Sequence, residues 1–141
     1  MTNLIKIKGD ASFRTFFRKK NIKQNSIIVI ANREKFKNLV VYDAINKILN
    51  KNKILAPYLH NHNYSNNYIE IEDFGNKTLF SELNKKKDKL HYFKKIINLL
   101  IKIQSIKDTQ INTFENKKYI IPKYEKKILI QEACLFCDWY V

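Results

Sequence analysis

Two short runs of alternating apolar and polar residues flank Gly9 and constrain how the chain can begin to fold. Residues 4–8 read Leu-Ile-Lys-Ile-Lys, and residues 13–18 alternate with the same period of two. This period is typical of strands with one buried face, and it places Phe13 and Arg14 on opposite faces. Gly9 is one of only two glycines in the chain, and glycine tolerates the positive φ angles of tight turns. The pattern predicts a β-hairpin with its turn at Gly9.

The turn at Gly9 has two possible uses. A glycine lets backbone N–H groups approach an anion without an intervening Cβ, so the turn could close over the phosphates of a nucleotide. A plain hairpin turn with no ligand is the more common role of a single glycine between strands, so the glycine alone is weak evidence for a nucleotide.

Apolar periodicity organises the rest of the chain into one domain-sized succession of strands and helices. The stripe in the first helix consists of Val41, Ala44, Ile45, Ile48 and Leu49. The pattern predicts a central strand over residues 26–31, a helix over 34–49, a polar turn region over 59–67 and a strand over 68–72. These are followed by a short helix over 78–83, a long helix over 88–106, a loop over 109–124 and a final helix from 124 to the end.

The strongly basic composition, with a formal charge of +14, raises the possibility of a nucleic-acid partner. The excess consists of lysine, however, and the 24 Lys, 21 Ile and 17 Asn residues share A/T-rich codons, whereas arginine occurs three times. The lysines are spread through every segment and form no single arm or stripe. Codon bias therefore accounts for the charge better than a nucleic-acid surface does, and we expect no nucleic-acid partner.

Localisation signals and metal motifs are absent from the sequence pattern. The first residues contain no apolar signal-peptide core, and no apolar run reaches the ~20 residues that span a bilayer, so we expect a cytoplasmic protein with no membrane partner. Cys134 and Cys137 form a Cys-x-x-Cys pair inside an apolar helical run. Because no second ligand pair lies at a zinc-site spacing, we predict no metal ligands and two small buried side chains.

Four motifs occur in the order found in one family of enzymes. Gly-Asp-Ala-Ser-Phe-Arg at residues 9–14, followed by Phe17 and Arg18, resembles the nucleotide loop of bacterial aminoglycoside/choline-kinase-like phosphotransferases. The branch it most resembles contains the anomeric N-acetylmuramate/N-acetylglucosamine kinases. The other three matches are residues 54–57, residues 69–75 and an aromatic-rich helix containing Tyr124, Glu132, Phe136, Trp139 and Tyr140.

The resemblance implies an α+β fold, in which a protein-kinase-like small lobe precedes the first helices of a large lobe. The small lobe would consist of an antiparallel five-stranded sheet plus one helix over residues 1–76. Residues 77–141 would form the helical start of the large lobe, truncated before the catalytic loop. A strand-and-helix order of this kind is common to many folds, so this assignment depends on the motifs.

The resemblance also implies the roles of the candidate cofactor-binding residues. Backbone amides of the nucleotide loop would cover the ATP phosphates, with the Ser12 hydroxyl as a further donor, and the main chain of a hinge segment (residues 72–74) would hold the adenine edge. Arg14 and Arg18 could each bind a phosphate through a charge-assisted hydrogen bond or lie in solvent. The implied cofactor-binding residues are Gly9, Asp10, Ala11, Ser12, Phe13, Arg14, Arg18, Glu72, Asp73 and Phe74.

The sequence departs from the family pattern at two places. Kinases carry a phosphate-binding Lys on the third strand, but residues 26–32 contain no lysine, and our candidate replacement is Arg18. No His-x-Asp loop with its following Asn is present either, and residues 73–75, although they spell Asp-Phe-Gly, precede the long helix. The sequence therefore predicts no catalytic residues in this chain, and ATP with Mg²⁺ is expected in a complete enzyme.

These features favour the front part of an ATP-dependent kinase for a sugar or amino sugar, inactive alone and a weak binder of ATP. The exposed aromatic face expected on the last helix, with Leu135, Phe136, Trp139, Tyr140 and Val141, favours contact with a missing lobe or self-association. A non-catalytic nucleotide-binding or regulatory protein that kept a kinase-like small lobe is the alternative.

Overall fold

The β-branched run Ser26–Ala31 forms β3, the central strand of a five-stranded antiparallel sheet in the computed structural model. The structure describes residues 3–8, 13–35, 37–85 and 88–140, without the side chains at positions 3, 34, 136 and 140. The other strands are β1 (Asn3–Ile7), β2 (Arg14–Lys20), β4 (Leu59–Asn63) and β5 (Tyr68–Glu72), in the spatial order β1-β2-β3-β5-β4. The prediction of an α+β protein with a five-stranded antiparallel sheet is confirmed.

The core lies between one face of this sheet and α1 (Lys37–Lys51), which connects β3 to β4. A 3-10 turn at Arg33–Lys35 precedes the helix. The buried residues come from β3, β5 and α1, where alternation on the strands and helical spacing on α1 turn apolar side chains toward each other. They are Ile27, Val29, Ala31, Leu39, Ile69 and Ile71.

α1 also buries polar residues that its apolar stripe did not predict. Asp43 and Asn46 are buried beside Ala44 and Ile48. The Asp43 carboxylate lies 2.8 Å from Lys47 Nζ, one helical turn further on. A buried carboxylate needs a partner of this kind because an unpaired buried charge is strongly unfavourable.

The segment after α1 is held by the helix itself. Lys53 adopts a left-handed conformation with φ of 57°, and the chain reverses there. The Asn50 side chain then binds the main chain of Ala56 twice, donating to its carbonyl at 2.9 Å and accepting from its N–H at 3.3 Å. Ile54 and Ala56 are consequently buried, whereas Leu55 points to solvent.

Two segments that we predicted as irregular form strands. Within residues 59–67, the first part is β4, an edge strand that pairs with β5. Within residues 109–124, β6 (Gln110–Asn112) and β7 (Lys118–Ile120) form a two-stranded hairpin. Both predictions were wrong because each strand is short and polar, so its pairing comes from the neighbouring strand and leaves little periodicity in the sequence.

The β6–β7 hairpin packs back onto the first half of the chain. The Phe114 ring stacks on His62 with centroids 4.5 Å apart and contacts Tyr64 edge-on at 5.6 Å. Just before the hairpin, Asp108 accepts from Lys51 Nζ at 2.5 Å and from Asn52 Nδ2 at 2.7 Å. The proposed boundary at residue 76 is therefore crossed by contacts between α1, β4 and residues 108–114.

Three helices complete the described chain: α2 (Leu79–Asn84), α3 (Leu90–Gln104) and α4 (Lys126–Tyr140). Thr78 caps α2 by accepting from the N–H of Ser81 at 3.1 Å. The three helices predicted over this part of the chain are confirmed. No helix in the described ranges is both long and apolar enough to cross a membrane.

The apolar residues of α3 and α4 are largely exposed. The exposed residues of α3 are Leu90, Phe93, Ile97, Leu99, Leu100, Ile101 and Ile103, and those of α4 are Ile128, Leu129, Ile130, Leu135 and Trp139. The side chains of Phe136 and Tyr140, and Val141 as a whole, lie outside the described residues. Cys134 and Cys137 are also exposed, so the prediction that they are buried was wrong. Every described side chain of α4 is exposed.

Candidate functional site

The described candidate site residues lie at the two ends of β2 and at the end of β5. Gly9, Asp10, Ala11 and Ser12 lie outside the described residues. Arg14 begins β2 and Arg18 lies near its end. Glu72 ends β5, and Asp73 and Phe74 follow it.

The register of the sheet places Arg14 and Arg18 on the face that packs against α1. Arg14 lies opposite Ala31, and Arg18 lies opposite Ile5 on one side and Ile27 on the other. Directly opposed residues of antiparallel strands share a face. The sequence predicted that both arginines lie on the face opposite Phe13. The register shows that this face is the inner face of the sheet.

Arg18 is bound to the hinge segment. Its Nε donates to Asp73 Oδ2 at 2.6 Å and its Nη2 to Asp73 Oδ1 at 3.0 Å, which is a bidentate ion pair. Nη1 donates to Asn76 Oδ1 at 2.6 Å, and Nη2 also reaches the Gly75 carbonyl at 3.2 Å. The planar guanidinium suits this set because its five N–H groups lie in one fork. These contacts direct the Arg18 side chain toward the hinge segment. They give no support to the prediction that Arg18 replaces the phosphate-binding lysine of the third strand.

Asp73 is the anionic centre of this cluster, and its side chain is only 5% exposed. The hydrogen bonds from Arg18 hold the pKa of the Asp73 carboxyl below its ordinary range, and they outweigh burial, which acts in the opposite direction. Asp73 Oδ1 also accepts from the N–H of Gly75 at 2.8 Å. Gly75 has a φ of +81°, a conformation that L side chains rarely adopt. The glycine therefore allows the turn that brings its N–H back to the carboxylate.

Arg14 occupies a different environment, at the other end of β2. Its Cζ lies 5.2 Å from the ring centroid of Tyr42 on α1 and 5.3 Å from that of Phe13. Both distances are within the range of cation–π attraction. Arg14 is half-buried, so the aromatic contacts are partly shielded from water.

The inner face of β1 continues this surface beyond α1. Ile5 is 42% exposed and lies opposite Arg18, and half-buried Ile7 lies opposite Phe16. These two side chains form an apolar shelf (Ile5 and Ile7) on the edge strand, and Arg18 lies between Ile5 and the buried Ile27.

The main chain of Glu72 is already part of the sheet. Its N–H donates to the Tyr58 carbonyl at 2.9 Å, and its side chain accepts from the Tyr58 N–H at 3.4 Å. Phe74 is 50% exposed. Of the hinge segment, Asp73 and Phe74 are therefore the residues whose main chain is better placed to meet a ligand.

A second charged cluster, on the outer face of the sheet, was missed by the sequence reasoning. Glu70 accepts from Lys19 Nζ at 3.0 Å and from the buried Ser26 hydroxyl at 2.5 Å. Burial raises the pKa of Glu70, but the bonds from Ser26 and Lys19 outweigh it, and the pKa lies below its ordinary value. The cluster ties β2, β3 and β5 together. The one sequence signal for this cluster is the alternation of Glu70 with Ile69 and Ile71, which places Glu70 on the face of the sheet opposite the core.

Metal-binding residues do not cluster in the part of the chain that the structure describes. No group of three or more His, Cys, Asp or Glu side chains there is placed to hold a metal ion. We therefore assign no Mg²⁺ ligand in the described ranges.

The chain was compared with known proteins. No protein-family model, no curated protein and no solved structure matches it.

Proposed function

We propose that this chain is the nucleotide-binding front part of an ATP-dependent small-molecule phosphotransferase of the aminoglycoside/choline-kinase-like type. The observation that carries the proposal is the ion pair between Arg18 and Asp73. These residues belong to two motifs that were recognised separately and lie 55 residues apart. Their contact joins Arg18, at the end of the first motif, to the hinge motif, and this supports an ATP site between the two motifs.

The topology gives further support. A hairpin, a third strand, a helix packed on the sheet, and two more strands leading into a hinge segment are the order that the resemblance implies for a kinase-like small lobe. The helix α1 and the candidate ATP surface share one face of the sheet.

The geometry fits ATP lying along β2. The adenine would contact the shelf of Ile5 and Ile7, on the face of the sheet that carries Arg18. The phosphates would extend toward Arg14. From Arg18 to Arg14 the strand spans about 13 Å, which is comparable to the length of an extended nucleotide. ATP would supply the transferred phosphoryl group, and the described residues would bind and orient it.

The exposed apolar faces of α3 and α4 support a further protein surface packed against them, because contiguous apolar patches usually mark interfaces. We propose that this surface is the catalytic part of the enzyme, which would also provide the Mg²⁺ ligands. The acceptor is proposed to be a sugar or amino sugar and the location cytoplasmic; both depend on the resemblance and the sequence pattern.

ATP binding by the 141-residue chain tests the proposal. We expect saturable binding with a dissociation constant on the order of 1 mM, measured by isothermal titration or ligand-observed NMR. Ile5→Glu places a carboxylate on the shelf and should weaken binding at least about tenfold, because it adds charge repulsion and removes apolar contact.

Leu4→Glu is the matched control, since Leu4 is also exposed and lies on the opposite face of the same strand. Equal effects of the two substitutions, or no saturation by ATP, would contradict the proposal. A coupled assay with amino sugars should give no turnover with this chain alone, and measurable turnover would refute the absence of catalytic residues.

A further inference from the structure

The central strand β3 carries apolar residues on both of its faces. Ile27, Val29 and Ala31 turn to the core. Ile28 and Ile30 alternate with them and therefore lie on the outer face of the sheet, where Ile28 is half-buried and Ile30 is 37% exposed. A sheet with one solvated face normally carries polar residues on that face, whereas a continuous apolar run is typical of a strand that is covered on both sides. The sequence of β3 therefore indicates a second layer on the outer face.

The strands beside β3 extend this apolar surface. Phe17 of β2 lies opposite Ile28, and Tyr68 of β5 lies opposite Ile30. Directly opposed residues of antiparallel strands share a face, and both aromatic side chains are half-buried. These four residues form an apolar centre (Phe17, Ile28, Ile30 and Tyr68) on the outer face, away from the core between the sheet and α1.

Charged residues of opposite sign lie on the two sides of the apolar centre. Lys6 on β1 and Lys19 on β2 lie on one side, and Glu70 and Glu72 on β5 lie on the other. Lys19 and Glu72 both lie opposite Ser26 of β3, each one strand away from it. The outer face is therefore basic toward β1 and acidic toward β5.

This pattern is complementary to a second copy of itself. A two-fold axis parallel to β3, between two facing outer surfaces, places the β2 side of each copy over the β5 side of the other. Ile28 and Ile30 would then each meet the same residue of the second copy, and Lys19 would face Glu72 of the second copy. An axis across the strands would instead bring the two basic sides together, and like charges placed in this way repel each other.

We propose that two copies of this chain associate through the outer faces of their sheets, with the apolar centre at the two-fold axis and Lys19 of each copy facing Glu72 of the other. The inference goes beyond the proposed function and leaves the candidate ATP surface open, because that surface lies on the inner face. Five strands at their usual spacing span about 20 Å, so the contact is smaller than a standard interface and is typical of weak association. We expect a dimer with a dissociation constant on the order of 100 µM.

Sedimentation equilibrium of the 141-residue chain, from about 10 µM to 1 mM, measures the association. Each copy carries a formal charge of +14, which opposes dimerisation, so the measurement is made at physiological salt, where charges are screened beyond about 8 Å. Ile30→Lys places two ammonium groups side by side at the axis and should weaken dimerisation at least about tenfold.

Ile101→Lys is the matched control. Ile101 is 58% exposed on α3, and its substitution adds the same charge at a position outside the sheet. It should change the dimerisation constant by less than about twofold, because screened surface charges act weakly.

Cysteine cross-linking tests the orientation of the two copies. Cys134 and Cys137 are exposed, so the background is Cys134→Ser/Cys137→Ser. Ile30→Cys should cross-link between copies with a short bismaleimide, since facing sheets lie about 10 Å apart. Leu4→Cys should cross-link far less. Leu4 is 53% exposed and lies opposite Lys19 on the outer face, but the proposed axis keeps the β1 strands of the two copies about 19 Å apart across the sheets.

The outcomes decide whether the outer face is the interface. Dimerisation that Ile30→Lys weakens and Ile101→Lys does not, with more cross-linking at position 30 than at position 4, supports the inference. Association that only Ile101→Lys weakens belongs to α3 and overturns it. Equal effects of the two lysine substitutions, equal cross-linking at the two positions, or a monomer at every concentration also overturn it. If Ile30→Lys is poorly folded by circular dichroism, the cross-linking comparison decides. ATP binding enters none of these measurements, so the proposed function stands or fails separately.

Discussion

Replacing Leu39 by alanine should lower the free energy of unfolding by about 3–5 kcal/mol. Leu39 is fully buried between α1 and the sheet, where it joins the cluster formed by β3 and β5. The substitution removes apolar contact and leaves a cavity that the surrounding strands can fill only in part. A loss of this size is a large share of the 5–15 kcal/mol that stabilises a typical domain.

Urea unfolding followed by circular dichroism measures this loss. Leu39→Met, which nearly conserves volume, should cost less than about 1.5 kcal/mol and keeps the comparison available if the alanine variant is largely unfolded. Leu55→Ala serves as the control because Leu55 is 77% exposed, and its cost should stay within about 0.5 kcal/mol. A Leu39→Ala loss as small as that of Leu55→Ala would mean that α1 does not pack on this face.

Breaking the Arg18–Asp73 pair should have the second largest effect. The two side chains are 16% and 5% exposed, so either single substitution, Arg18→Gln or Asp73→Asn, leaves a shielded charged side chain without its counter-charge. We expect each to cost about 2–4 kcal/mol, between the values for exposed and fully buried pairs. The double variant should cost less than the sum of the singles, with a coupling free energy of about 1–3 kcal/mol.

A double-mutant cycle on the exposed Lys85–Glu82 pair is the matched control. Its side chains are 67% and 35% exposed at a separation of 3.2 Å, so its coupling should be about 0.5 kcal/mol or less. Similar coupling in the two cycles would show that Arg18 and Asp73 are not tied as described. High salt should weaken the exposed pair more than the shielded one.

The same pair predicts a dependence on pH. Because the pKa of Asp73 is lowered in the folded state by Arg18, the unfolded chain binds a proton more readily. The stability that the pair contributes is complete above the ordinary carboxyl pKa of about 4 and is lost as the pH falls through the lower folded value. Asp73→Asn should flatten this part of the acid unfolding curve. An unchanged slope would contradict the assignment.

The sequence predicted the elements that carry their own periodicity. Residues 26–31 were assigned as a strand with the bounds that the structure has, because a β-branched run has few alternatives. The polar strand β4 was missed because its pairing with β5 decides its conformation. The burial of Asp43 was missed because a carboxylate is normally assigned to the solvent face of a helix. It becomes buried when α1 packs, and its ion pair with Lys47 compensates for that burial.

The same difference between local and long-range features applies to the candidate site. Alternation along β2 correctly placed Arg14 and Arg18 on one face, which is a local property. Their partners could not be read locally, since Asp73 is 55 residues away and Tyr42 lies on another element. The contact of Arg14 with Tyr42 and the ion pair of Arg18 with Asp73 depend on how α1 and the end of β5 pack.

The return of residues 108–114 to α1 has a kinetic consequence. Lys51 and Asp108 are 57 residues apart, whereas β1, β2 and β3 follow one another directly and pair in sequence. Ordering the long intervening segment costs chain entropy before its contacts are gained. We therefore expect refolding to form the sheet first and to dock the β6–β7 hairpin as a later phase, visible through the burial of Phe114.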